Sequence, residues 1–141
     1  MNRILGVDYG TSNIGLALGI GGIVQPYKIL PNIPNHIVER DAVSKIIKIV
    51  ALEGIDTIVV GIPQRNGEDV GHSKAIRKFA QKLQNQLKDS VEIKFIDESS
   101  TSKESISIAL DAAVSQKRRK ADHSIAAGLI IKRWWETQES I

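Results

Sequence analysis

With 141 residues, a quarter of them charged and 42% hydrophobic, the chain has the length and balance of one soluble globular domain with a real core. No apolar run approaches the roughly 20 residues of a membrane span, and the N-terminus carries no signal-peptide pattern. The absence of cysteine excludes disulfides and thiolate metal sites and suits a reducing cytoplasm, while a net charge of +3 permits nucleic acid as a partner.

Residues 3–8, 14–20 and 22–30 are apolar segments separated by the glycine-bearing breaks "YGTSN" and "GIGG", which predicts an antiparallel meander. From Asn35 the period changes. Ile37, Val38, Ala42, Ile46, Ile47 and Val50 recur at three- and four-residue spacing, predicting an amphipathic helix that ends near Gly54. "DTIVVGIP" reads as a buried parallel strand. Ala75, Ile76, Phe79, Ala80, Leu83 and Leu87 define a second helix, and "VEIKFID" alternates as a strand ending at Asp97-Glu98. Two further helices are predicted over roughly 101–114 and 121–137, with the basic run Lys117-Arg118-Arg119-Lys120 as a loop between them. The order β-β-β-α-β-α-β-α-α predicts an α/β fold with a five-stranded mixed sheet, helices on both faces, in one domain over residues 1–141 without repeat or linker.

Three acids stand at informative places. Asp8 ends the first strand, Glu98 follows the last strand with Asp97 beside it, and Asp122 opens the final helix. Steps of 3.6 from Asp122 reach Ala126, Leu129 and Arg133, a largely small or apolar stripe that should face the sheet. Ligands of open α/β sheets collect at the carboxyl ends of strands, where parallel first and last strands would both deliver their acids. Clustered carboxylates repel and must share a proton or a cation, so Asp8→Asn is expected to relieve repulsion and stabilise the fold. Oxygen ligands suit Mg²⁺ or Mn²⁺, and two such ions about 4 Å apart can activate water and stabilise the leaving oxygen in phosphodiester cleavage. Each acid also has a local use: Asp8 could bond the following turn, and the others could cap the helices they precede. Convergence of three acids on one edge favours a metal site.

Other polar groups are less specific. Lys74, Arg77, Lys78 and Lys82 share the polar side of the second helix. They and the run Lys117 to Lys120 read either as solvated faces or as salt-sensitive phosphate contacts. His72 and His123 read as surface or packing residues, with His123 expected on a different helix face from Asp122. Trp134 and Trp135 are adjacent, so at most one is expected to face the core.

The ordered set "GVDYGTSNIGLAL", "IVVGIP", "RKFAQKL", "FIDESSTS" and "KADHSIAAGLIIKRWWE" resembles the YqgF family, also called RuvX, of the ribonuclease H-like superfamily, over nearly the whole chain. Asp8, Gly10, Thr11, Gly15 and Ala17 fit its opening pattern, and Asp97, Glu98, Ser100 and Thr101 fit its second. Its last element, an Asp three residues ahead of an Ala-Ala pair, is met by Asp122 at nearly that spacing from Ala126 and Ala127. The resemblance implies a nuclease with Asp8, Glu98 and Asp122 as catalytic and metal-binding triad, using Mg²⁺ or Mn²⁺, two ions by expectation. It implies maturation of the small-subunit ribosomal RNA precursor, with ribosomal particles among its partners, or by analogy Holliday junction resolution. A cytoplasmic monomer or homodimer away from membranes is expected. Ser99 stands where the family has arginine, a forked phosphate donor. Arg65, in the atypical loop "PQRNGEDVGHS", is a candidate replacement, and with Thr11, Lys74, Lys117, Arg118, Arg119 and Lys120 it makes up the candidate nucleic-acid contacts.

Two readings from other classes remain. "DYGTSNIG" also resembles the phosphate-binding loop of actin-like and sugar-kinase ATPases, which close two such domains on a nucleotide. This chain has length for one, and no second Asp-Gly-Thr turn. The loss of the family arginine leaves open a catalytically silent nucleic-acid-binding module, although clustered acids repel phosphate unless a metal intervenes.

Overall fold

The computed structural model describes residues 2–10, 12–32, 36–98 and 116–139, with the side chains of 36–37, 116–122 and 139 outside the description. Strands β1 (Arg3–Tyr9), β2 (Asn13–Ile20) and β3 (Ile23–Pro31) form the predicted meander. Gly21 and Gly22 alone join β2 to β3, both with φ in the left-handed region that such a tight hairpin requires. Helix α1 (His36–Glu53) leads to β4 (Thr57–Ile62), parallel to β1. A small hairpin, β5 (Gln64–Arg65) and β6 (Glu68–Asp69), precedes α2 (Ser73–Leu87). After a 3-10 turn, β7 (Glu92–Asp97) pairs parallel to β4, and α3 (Gln116–Glu139) completes the described chain. The sheet order is β3-β2-β1-β4-β7. Because β1 and β7 both run parallel to β4, Asp8 and Glu98 emerge at the same sheet edge.

Two details of the element order depart from the sequence reading. Hairpin β5–β6 is absent from it, since strands of two residues leave no period to detect. Helix α3 begins at Gln116, so the backbone of Lys117 to Lys120 is helical and the expected loop does not form there. Lysine and arginine are good helix formers, and no Gly or Pro interrupts the run. The helix predicted over 101–114 lies outside the described residues.

Side-chain alternation gives the sheet two unlike faces. One carries Leu5, Val7, Leu16, Leu18, Ile58, Val60 and Ile62 and packs on α1 and α2 through Ile46, Phe79 and Leu83. The other meets α3 through Ile4, Ala17 and Val59 against Ala127, Ile130 and Ile131. On this second face the backbone itself is the contact surface. A Cβ at Gly6 would lie 2.4 Å from the Ala127 carbonyl oxygen, and one at Gly15 only 2.0 Å from that of His123. Farther along the helix, Trp134 and Trp135 are both partly buried against this core, contrary to the expectation that one at most would face it. They sit at the margin of a thin layer, where two neighbouring side chains can each cover one flank. The indole of Trp135 lies over Gly19, where an added Cβ would be 3.1 Å from Cζ2.

Gly15→Ala is therefore expected to destabilise by about 1–3 kcal/mol, since the atoms it would strike are backbone and cannot rotate away. Denaturant unfolding measures this directly. An unchanged midpoint would show that α3 lifts off β2 without cost.

Candidate functional site

Asp8 lies at the carboxyl end of β1 on the α3 side of the sheet, opposite Gly15 of β2, and is 7% exposed. The turn after it is closed by other groups. The Gly10 amide donates to the Asn13 carbonyl at 2.9 Å, and Asn32 at the end of β3 donates from Nδ2 to the Gly10 carbonyl at 2.7 Å. The Asp8 carboxylate instead faces inward across the sheet edge, with Oδ2 3.0 Å from Nδ1 of His123.

Glu98 is 6% exposed. Its amide donates to the Ile62 carbonyl at 3.1 Å, continuing the β4–β7 ladder by one residue. Its side chain then passes over Gly61, where a Cβ would lie 2.7 Å from Oε2. Burial, and next to it the charge and hydrogen bonding of Asp8, push the Glu98 carboxyl up to about 9, with Asp97 adding a smaller push. Without a cation, Glu98 therefore holds a proton at neutral pH and donates it in a hydrogen bond to Asp8. Its Oε2 is buried without a hydrogen-bond partner among the described residues. A buried acid pair with an orphaned oxygen is a site with an unmet polar partner, and hard divalent cations suit these donors. Asp97 has a structural task as well, accepting the Gln64 amide on Oδ1 at 3.3 Å and so tying the start of β5 to the end of β7.

The third predicted acid, Asp122, lies in the second turn of α3, and its side chain is outside the description, as is Thr11. Among the described residues, no three His, Cys, Asp or Glu side chains converge closely enough to hold an ion by themselves. Sequence reasoning missed His123. The signal was available, because counting three residues back from Ala126 in the family's last element lands on His123, while Asp122 is four back.

The predicted cations are dispersed. Arg65 is exposed on the β5–β6 hairpin and Lys74 is exposed in the first turn of α2. Arg77 forms a two-pronged pair with Asp69, holding that carboxyl down to about 2, and stacks over Phe95 with 4.8 Å to the ring centroid. Lys82 pairs with Glu39, which also accepts from the Tyr9 hydroxyl at 3.0 Å. Two of the four α2 cations are thus engaged within the protein. Lys117, Arg118, Arg119 and Lys120 have helical backbone at the start of α3. No helix among the described residues is long and apolar enough to cross a membrane.

The model of a family described as RuvX: Holliday junction resolvase matches residues 2–137. A relative from Endomicrobium trichonymphae, named "Putative pre-16S rRNA nuclease", is 28% identical over 143 residues and 98% of both chains. A namesake from Porphyromonas gingivalis is 34% identical over 128 residues, covering 85% of this chain and 83% of its own. Among solved structures, RuvC of Thermus thermophilus matches with a TM-score of 0.60 at 9% identity over 96% of each chain. The fowlpox virus resolvase, in complex with Holliday junction DNA, matches with a TM-score of 0.61 at 13% identity over 96% of this chain and 98% of its own. Such identities speak to the fold alone, and the fold they share is the mixed sheet described above. By its sequence the chain belongs to the RuvX family, and its architecture is the RuvC-like ribonuclease H fold.

Proposed function

We propose that the protein is a divalent-metal-dependent nuclease, one domain over residues 1–141, that matures the 5′ end of the small-subunit (16S) ribosomal RNA precursor in the cytoplasm. The observation that carries this reading is the buried Asp8–Glu98 pair at the strand ends, with one oxygen orphaned. Bound Mg²⁺ or Mn²⁺, two ions by expectation, would activate water and stabilise the leaving oxygen of the phosphodiester. Asp8 and Glu98 would hold the cation from the sheet, and Asp122 is the sequence-based candidate for the ligand from α3. Burial of both sheet acids limits competition from bulk water, and Glu98 would have to give up its proton to ligate a cation.

Substrate phosphates then fall to Thr11, Arg65, Lys74 and the run Lys117 to Lys120, with Arg65 supplying charge that Ser99 does not. The name that the relatives carry, a pre-16S rRNA nuclease, supports RNA. The family description names the Holliday junction, which makes a four-way DNA junction the second reading.

Incubation with Mg²⁺ or Mn²⁺ and matched single-stranded precursor RNA, duplex RNA and four-way junctions separates these. Cleavage of the precursor RNA with the junction left intact is expected. Changing Lys117, Arg118, Arg119 and Lys120 to alanine should weaken RNA binding evenly across sequences and flatten the salt slope by about 0.7 for each phosphate left without its cation. Preferential junction cleavage would replace the substrate assignment, and binding without any cleavage would make the protein a silent module.

A further inference from the structure

The geometry points to His123 as the ligand that α3 contributes to the metal site, a nitrogen donor in the position that the sequence reading gives to Asp122. The inference rests on reading the Asp8–Glu98 pair as a metal site.

Its first support is a distance. Oδ2 of Asp8 and Nδ1 of His123 are 3.0 Å apart. Two neighbouring ligands of an octahedral cation with bonds of about 2.1 Å are separated by about 3.0 Å, so this pair already spans one edge of such a shell. Small divalent ions keep several waters and need few protein ligands, so the edge from Asp8 and His123 is enough to anchor one, although Glu98 does not close on the same point as a third ligand among the described residues.

The second support is how the ring is held. The carbonyl of His123 and the amide of Ser124 lie directly on Gly15, at 2.0 and 2.6 Å from where a Cβ would be, and Gly15 is the β2 partner of Asp8. The imidazole lies beside Gly10, with Cε1 3.0 Å from a Cβ built there. Three glycine-enabled contacts therefore fix the ring against the acid from the backbone outward. Adjacent helical positions leave the axis roughly 100° apart. The observed register gives the Asp8-facing position to residue 123.

The chemistry follows from the donor set. With no cation present, an imidazole N–H donates to Asp8 and compensates its charge. A metal requires the neutral ring with the Nδ1 lone pair turned inward, the proton passing to the other nitrogen or to solvent. One nitrogen among oxygens shifts preference from Mg²⁺ toward Mn²⁺, because a transition-metal ion accepts an imidazole nitrogen more readily than the harder Mg²⁺ does.

Electron spin-echo spectroscopy of Mn²⁺ added to the full chain tests this without any activity assay. Bound Mn²⁺ should show ¹⁴N coupling from imidazole in the wild type and in Asp122→Asn. That coupling should vanish in His123→Asp, which retains bound Mn²⁺ through an oxygen. Calorimetry should find Mn²⁺ affinity lowered by ~10-fold or more in His123→Ala and His123→Gln, and the Mn²⁺-to-Mg²⁺ preference narrowed in His123→Asp, with circular dichroism confirming the fold of each variant. Bound Mn²⁺ without ¹⁴N coupling in the wild type overturns the role of His123, provided that Asp8→Asn still abolishes binding, and leaves the Asp8–Glu98 reading standing. Loss of affinity in Asp122→Asn but not in His123→Ala does the same. A folded wild type that binds neither ion overturns both.

Discussion

Asp8→Asn is expected to lower divalent-dependent cleavage by ~100-fold or more, the scale of losing a strong, preorganised electrostatic contact in a buried site. Asparagine keeps the shape of the side chain and one acceptor oxygen but removes the charge that holds the cation. The melting temperature without metal should fall, because the Asp8 charge is compensated on both sides, by His123 at 3.0 Å and by the proton on Glu98. Losing hydrogen bonds to a charged group costs about 1.5–3 kcal/mol, or roughly 3–12 °C for a chain of this size. This reverses the expectation from sequence, in which bare carboxylate repulsion would make the variant more stable. The stabilisation that Mg²⁺ confers on the wild type should disappear. Undiminished cleavage by a folded Asp8→Asn protein would falsify the metal-site reading.

A second large effect comes from Glu98. Between its ordinary value of 4.5 and about 9, the folded metal-free protein keeps the Glu98 proton that an unfolded chain releases. The folded state then binds more protons than the unfolded state, so stability falls as pH rises through that window. The contribution is fully present below 4.5, declines by up to about 1.4 kcal/mol per pH unit, and is gone above about 9. Saturating Mg²⁺ takes over the role of the proton, and its stabilising effect should grow as pH rises. Glu98→Gln removes the titrating group. Its metal-free stability should lack this decline, and its cleavage should be lost with the ligand. Denaturant unfolding from pH 5 to 9 in chelator and in Mg²⁺ measures all of this, and identical slopes in wild type and Glu98→Gln would remove Glu98 as the cause.

Much of the sheet is legible in the sequence because its strands are short apolar runs stopped by glycine or proline, and each stop is local. Asp8 and Glu98 are legible for the same reason, since a residue at the end of a run has a known place once the run is a strand. What escapes is set by contacts between distant segments. Whether His123 touches Asp8 depends on how low α3 sits, and that depends on the missing Cβ atoms at Gly6 and Gly15. A reading that takes those glycines only as turn formers or strand breakers has no means of placing the ring. The same holds for the sign of the Asp8→Asn effect. Counting acids yields repulsion, whereas the folded chain supplies an imidazole and a shared proton that no local pattern announces. The start of α3 is a different failure, in which a charged run reads as solvated loop although its residues favour helix.

The chain has two tryptophans, and both lie against the smaller of the two cores on the helix that brings His123 to the acids. Intrinsic fluorescence from this protein is consequently a report on the seating of α3 and on little else. The larger core beneath α1 and α2 contains no indole among its residues. Emission and far-ultraviolet dichroism therefore watch different layers of one molecule, and any separation between their transitions would be the optical signature of α3 leaving the sheet before the rest unfolds.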